Sequence, residues 1–449
     1  MTNRYIPNTP EDRSEMLEAI GVGSIEDLWK TIPEDLRLKS RLRLPSALPE
    51  PDLLRHLKNM SGQNSDVGRF PSFLGAGAYN HYIPSAVNHL ASQPGFYTAY
   101  TPYQPEVSQG ILQAIFEFQS YITLLAGLDV ANASMYDGPS AAAEAVLMAK
   151  RVTKRDEVII PRNAHPEYRQ VIETYIRDLD MKIVEAPFLE DGRIDYDAVK
   201  KSLNDKTAAL VVQNPNFFGC VETPEAISQS LRENCTLLIQ TTVEALSLAI
   251  LKSPGECGAD IFAGEGQSFG NPLSFGGPYV GLFAARKDFI RNMPGRLVGE
   301  TLDKKGKRGY VLTLSTREQH IRRDRATSNI CSNQSLCAIR SAIYLSTLGK
   351  KGVRGLALMN MRKAAYMRKK ISSLPGYRAL FSAPVFNEFV AGTPVPPEEI
   401  NEALEKEGII GGLDLGKFYP ELGNAMLFCA TEMVRKEDMD RLVDVLSRY

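Results

Sequence analysis

The stretch "AALVVQNPN" (208–216) runs five apolar residues and Gln213 into an Asn–Pro–Asn turn. Apolar runs without polar alternation suit strands covered on both faces, the signature of a mainly parallel sheet. Pro215 restricts the backbone, and the side chains of Asn214 and Asn216 can hydrogen-bond it into a turn. Similar short runs recur on either side: "EVIIP" (157–161), "KIVEAPF" (182–188), "TLLIQ" (236–240), "ADIFAG" (259–264) and "YVGLFAA" (279–285). Helical segments separate them from about 130 to 290, so the expected class is an open α/β domain with ligands at the carboxyl ends of its strands.

Working outward, residues 1–65 read as a helical arm without a strand pattern. "TPEDRSEMLEAIG" has Thr9 as a cap, acids in its first turn and Gly21 as a stop. Such an arm is expected to lie on another surface rather than enclose a core of its own. "PEVSQGILQAIFEFQSYITLLAG" spaces Val107, Ile111, Ile115, Phe118, Ile122 and Leu125 by three and four, one face of a long helix. The large domain is expected to span 66–325. Linking helices ("SNQSLCAIRSAIYLSTLG", "VRGLALMNMRKAAYMRKKISS") and a small α+β domain with strands near "FNEFVAG" and "AMLFCATE" are expected over 326–449.

Global composition excludes several function classes. The 52 basic residues balance 53 acidic ones, so no overall charge calls for nucleic acid or an anionic membrane. The start lacks an apolar signal core, and "TLLIQTTVEALSLAILK" is interrupted by Gln240 and Glu244, so a membrane span is not expected. The six cysteines form no CxxC pair and read as reduced thiols of a cytoplasmic protein. The five histidines show no metal-ligand spacing.

Four features fall where a sheet-edge site would form. "MYDGPSAAAEAVLMAK" opens an Ala-rich helix at Pro139–Ser140, either a phosphate seat or an ordinary helix start. His165 follows a strand, placed either to stack on a planar ligand or to cap and pack. The Asn214–Asn216 turn is third. "GADIFAGEGQSFGNPLSFGGPYVGLF" (258–283) is fourth, a strand, a glycine-rich turn and a second strand with no Lys, His, Cys or Arg.

These features in this order resemble the fold-type I enzymes that use pyridoxal 5′-phosphate. "FLGAGAYNHYIPSAVNHLASQPGFYTAYTPYQPEVSQG" (73–110), "ANASMYDGPSAAAEA" (131–145), "GEGQSFGNPLSFGGPYVG" (264–281) and "VLTLSTREQHIRRDRATSNICSNQ" (311–334) resemble the P-protein family of the glycine cleavage system, with "RYIPNTPEDRSEMLEAIG" (4–21) matching at the start. The likeness runs from about residue 4 to the C-terminus and is to the separate N-terminal-type subunit.

The resemblance implies a seven-stranded-type sheet in a pyridoxal-phosphate transferase-like domain. It also implies a missing group. The family's cofactor lysine belongs to the other subunit, and its His–Lys pair falls here on Gln267 and Ser268. Neither an amide nor a hydroxyl can form an aldimine. The acid that holds the ring nitrogen is replaced by Gln240 or Thr241, while His165 matches the ring-stacking position, so Ser140, His165, Gln240, Gln267 and Ser268 outline a degenerate cofactor pocket. The implied assembly is α₂β₂ with a homologous lysine-bearing subunit 2 that carries the cofactor. It decarboxylates glycine and passes the aminomethyl group to the lipoyl arm of H-protein. Residues expected to reach the partner's site or the interface are Tyr97, Tyr100, Thr101, Tyr103 and Gln104 in a stiff aromatic turn, or else these rings pack on the sheet. Arg317, His320, Arg322 and Arg323 form a second patch, suited to carboxylates and phosphates, or are a solvated loop. A standalone enzyme using Lys252 or Lys287, or a pure scaffold, are the competing readings.

Overall fold

The computed structural model describes residues 5–40, 42–97 and 100–449, and the chain divides at residue 64 into two units. In the first, the helix Pro10–Ile20 starts at a capping box, with the Asp12 amide donating to the Thr9 hydroxyl and the Thr9 amide to the Asp12 carboxylate. It stops at Gly21, whose φ of 80° is the left-handed conformation that a glycine adopts without penalty. Two short 3₁₀ turns and the helix Glu50–Ser61 follow, and none of these elements buries a residue.

The second unit is built on a sheet of seven strands among the described residues: β1 (Val130–Ala131), β2 (Glu157–Pro161), β3 (Lys182–Ala186), β4 (Thr207–Gln213), β5 (Leu237–Thr242), β6 (Ile261–Glu265) and β7 (Gly281–Ala285). Their order is β1-β7-β6-β5-β4-β2-β3; only β7 runs against its neighbours. Both faces are covered, which is why the strands carry no polar alternation. Ile261, Ala263, Phe283 and Ala285 join the core under the helices Gly138–Thr153 and Pro166–Ile176, while Phe262, Leu282 and Ala284 join the opposite core with the helix Gln109–Ala126 and the helix Ser335–Ile371.

The helix Gln109–Ala126 buries Ile111, Ile115, Phe118 and Ile122, each contributing roughly 1.5–3 kcal/mol. Val107 does not share that face. Pro105 opens a separate 3₁₀ turn (Pro105–Val107), so Val107 precedes the helix and lies 80% exposed. The two linking helices form a single run, Ser335–Ile371, broken at Gly349, where φ 60° and ψ 179° leave helical geometry. A hairpin, β8 (Leu297–Leu302) with β9 (Arg308–Thr313), precedes it. β10 (Arg378–Ala379), β11 (Glu388–Gly392), β12 (Leu413–Asp414) and β13 (Ala425–Cys429) form an antiparallel sheet in the order β10-β11-β13-β12. Among the described residues no helix is long and apolar enough to cross a membrane.

Candidate functional site

Chain direction brings the sequence features to one edge of the sheet. His165 follows β2, Asn214–Asn216 follow β4, Glu244 follows β5 and Glu265–Ser268 close β6, all at carboxyl ends. Lys252 precedes β6. Because β7 is antiparallel, with Ala285 opposite Ile261, Lys287 leaves at the same amino-terminal edge. Neither lysine therefore reaches the site. Lys252 is exposed and pairs with Glu225 at 2.8 Å.

The helix Gly138–Thr153 points its N-terminus at this edge, where unpaired N–H groups would attract an anion. Every such group is already used. The Gly138 amide donates to Glu265 Oε2 (2.9 Å), Pro139 has no N–H, the Ser140 amide donates to Asp137 Oδ1 (2.8 Å), and the Ala141 amide donates to the Asp137 carbonyl. The approach of Glu265 requires glycine at 138, since a Cβ there would stand 1.9 Å from the Tyr168 hydroxyl and 3.0 Å from Glu265 Cβ. Glu265 also accepts from the amides of Gln267 (3.0 Å) and Val280 (3.2 Å). Burial outweighs these bonds and pushes its pKa up to about 8. Ser140 is thus an ordinary helix start.

His165 caps the helix Pro166–Ile176: its Nδ1 accepts from the Glu167 amide (3.2 Å), and its Nε2 lies 2.9 Å from the Ala76 carbonyl, which assigns the proton to Nε2. Its ring meets Phe217 edge-on at 4.7 Å. Burial holds its pKa below the ordinary value. In this structure the ring packs and caps.

Across from it, the Gln267 side chain clamps the backbone of Tyr79. Its Oε1 accepts from the Tyr79 amide (3.0 Å), and its Nε2 donates to the Tyr79 carbonyl (3.0 Å) and the Asn271 carbonyl (2.7 Å). His165 and Gln267 therefore hold the two ends of one short segment, Ala76–Tyr79, whose backbone occupies the space between them. Glu388 fixes it from below, accepting from the Ala76 amide (2.6 Å) and the Tyr79 hydroxyl (2.8 Å). Ser268 is 1% exposed and its hydroxyl has no partner.

Gln240 does not join this group. It lies opposite Phe262 in the β5–β6 register and shares that face, whereas Thr241 lies opposite Ala263 on the face beneath His165. Of Gln240 and Thr241, strand alternation puts Thr241 on the same face as Ala263. Sequence reading also missed a buried charge cluster beside the segment: His81 Nε2 lies 2.7 Å from Glu244 and Nδ1 3.0 Å from Glu432, all three side chains being under 5% exposed. Local sequence holds no signal for it, because the partners are 163 and 351 residues apart.

Tyr97 (67%) and Tyr100 (78%) are exposed, whereas Tyr103, 53% exposed, packs its ring against the Arg296 guanidinium and accepts from it at its hydroxyl (2.9 Å); Thr101 is half-buried and Gln104 open to solvent. Thr98 and Ala99, in the same turn, lie outside the described residues. The basic patch does not hold together. Arg317 is buried, its guanidinium donating to the carbonyls of Met293, Gly295 and Leu314, so it is spent on the backbone. His320 and Arg323 instead line a cavity of about 350 Å³ with Tyr103, Arg296 and Glu318, and Arg322 is exposed outside its lining.

Comparison with known proteins decides the family. The model described as "Glycine cleavage system P-protein" matches residues 3–446. The chain belongs to the P-protein family. A relative from Desulfitobacterium hafniense, "Probable glycine dehydrogenase (decarboxylating) subunit 1", is 52% identical over 98% of both chains. The crystal structure of glycine decarboxylase (P-protein) in inhibitor-bound form is 41% identical, covering 99% of this chain and 100% of that one with a TM-score of 0.89. A sphingosine-1-phosphate lyase from Burkholderia pseudomallei shares the fold alone, at 17% identity, TM-score 0.67 and coverage of 91% and 92%.

The P-protein family resemblance brings pyridoxal phosphate with it, and the residues of this P-protein chain do not fit that group. The helix N-terminus has no donor left for a phosphate, Ala76–Tyr79 fills the space between His165 and Gln267, and no amine stands at Ser268.

Proposed function

We propose that this chain is the non-lysine-bearing subunit of a heteromeric glycine decarboxylase, completed by a homologous subunit that carries the lysine and the cofactor. One observation carries the reading: Ser268, which the family resemblance sets at the lysine position, is a buried hydroxyl that offers no amine. The subunit 1 name of its relatives supports a heteromer. In the assembled α₂β₂ enzyme, the bond from the glycine α-carbon to its carboxylate breaks and CO₂ leaves. The aminomethyl carbon then bonds to one sulfur of the lipoyl arm of H-protein. The two electrons released reduce the disulfide, so the other sulfur becomes a thiol.

The part played by this chain is interface and shape. Tyr97, at the end of the helix Pro94–Tyr97, and Tyr100 stand exposed, and Tyr103 is held by Arg296 between Pro102 and Pro105; with Thr101 and Gln104 they are suited to line a partner's pocket. Its location is cytoplasmic, where the carrier and glycine are at hand. The relocated-lysine reading loses support because Lys252 and Lys287 leave at the wrong edge.

Reconstitution tests the proposal. Glycine–bicarbonate exchange in the presence of H-protein should be absent with either subunit alone. It should rise by more than about a thousandfold, some 4 kcal/mol of barrier, when the two are combined. Sustained exchange by this chain alone would overturn it.

A further inference from the structure

The glycine-rich loop between β6 and β7 is anchored at its base and presents one aromatic ring to solvent. It leaves β6 at Glu265 and enters β7 at Gly281, so it rises from the carboxyl edge that carries the candidate site. Its base is fixed. The Asn271 carbonyl accepts from the Gln267 side chain (2.7 Å), its amide side chain donates to the Ser341 hydroxyl (3.0 Å), and the Val280 amide donates to Glu265 (3.2 Å). The tip is closed by three donors on the Leu273 carbonyl: the amides of Gly276 (3.0 Å) and Gly277 (3.2 Å) and the Tyr279 hydroxyl (3.0 Å). Phe275 stands on that tip, 88% exposed.

The backbone beneath the ring is strained. Ser274 (φ 46°) and Phe275 (φ 54°) both take the left-handed conformation that disfavours an L side chain, and Gly276 and Gly277 follow at 113° and 126°. A ring this exposed gains little from burial in its own chain, so no packing there offsets the cost. The segment "NPLSFGGPYV" (271–280) also carries no charged residue. Interface centres are depleted of charge and built around aromatic anchors, and a ring already held in place loses little freedom on binding.

We propose that Phe275 is an anchor that inserts into an apolar pocket of the homologous partner subunit. The uncharged loop suits a permanent subunit better than a carrier that docks and leaves at each turnover, since fast transient encounter relies on charge. The inference rests on the heteromer proposed above and names one of its contacts.

Two variants of the full-length chain test it against the purified partner subunit, with H-protein present. Phe275→Gly should weaken association of the two subunits at least about tenfold, read by surface plasmon resonance. The same variant should keep the chain's own urea midpoint at or above the parental value, because glycine takes a positive φ without penalty. In Phe275→p-benzoylphenylalanine, irradiation of the complex should cross-link this chain to the partner subunit. Unchanged affinity, a lowered midpoint, or cross-links only to a second copy of this chain, to H-protein or to nothing would overturn the anchor while parental association and exchange still stood. Failure of the parental subunits to associate would instead overturn the heteromer, and the anchor with it.

Discussion

Ser268→Lys destabilises the chain by about 3–5 kcal/mol and brings no visible absorbance from bound pyridoxal phosphate. Position 268 is 1% exposed, between Gln267 (2%) and Phe269 (0%), and offers no room for a long side chain. An ammonium there would lack a free counter-ion: both oxygens of the nearby Glu265 already accept from the amides of Gly138, Gln267 and Val280. A lysine at 268 is therefore not expected to create a cofactor site, since the helix amides at 138–141 are taken and Ala76–Tyr79 is held between His165 and Gln267. Urea titration and an absorbance scan after incubation with the cofactor check the two halves. A yellow variant of parental stability would show that Ala76–Tyr79 yields its place.

His81→Ala is expected to cost about 3–5 kcal/mol, the range for breaking a buried ion pair from one side. It leaves Glu244 and Glu432 buried without their shared cation; Glu432 keeps the Tyr82 amide, and Glu244 keeps the Leu246 amide (2.9 Å) and a 3.3 Å contact to Asn387. Burial works against the charge on His81, but the two glutamates carry its pKa from 6.5 up to about 10. The sign follows from that direction. A folded-state pKa above the unfolded value gives stability that is complete below about 6.5 and is lost as pH rises through about 10. The stability gap between parent and variant should thus narrow from neutral pH toward pH 10, as read by urea unfolding across that range. The parent weakens with rising pH for a second reason. Burial raises Glu265 to about 8 and Glu388 to about 7, so both favour the folded state when protonated.

The sheet was legible because its evidence is local. Each apolar run from Glu157–Pro161 to Gly281–Ala285 became a strand; Thr9 starts its helix through its hydroxyl, and Gly21 stops it because glycine, lacking a Cβ, takes the left-handed φ of 80°. That residue 268 is a serine without an amine is read from the sequence itself. What fills the pocket was not readable, because Gln267 and Tyr79 are 188 residues apart and neither belongs to a pattern. Arg317 misled for the same reason: a run of arginines reads as a patch until the fold turns one of them onto carbonyls at Met293 and Gly295. Val107 fitted the helical spacing, yet spacing alone does not register that Pro105 starts a separate turn.

Borohydride reduction of the assembled, cofactor-loaded complex, followed by peptide mass mapping, locates the cofactor directly. All of the reduced pyridoxyl adduct is expected on the partner's peptides and none on this chain, Lys252 and Lys287 included. A stoichiometric adduct on any lysine of this chain would contradict the division of labour between the two subunits.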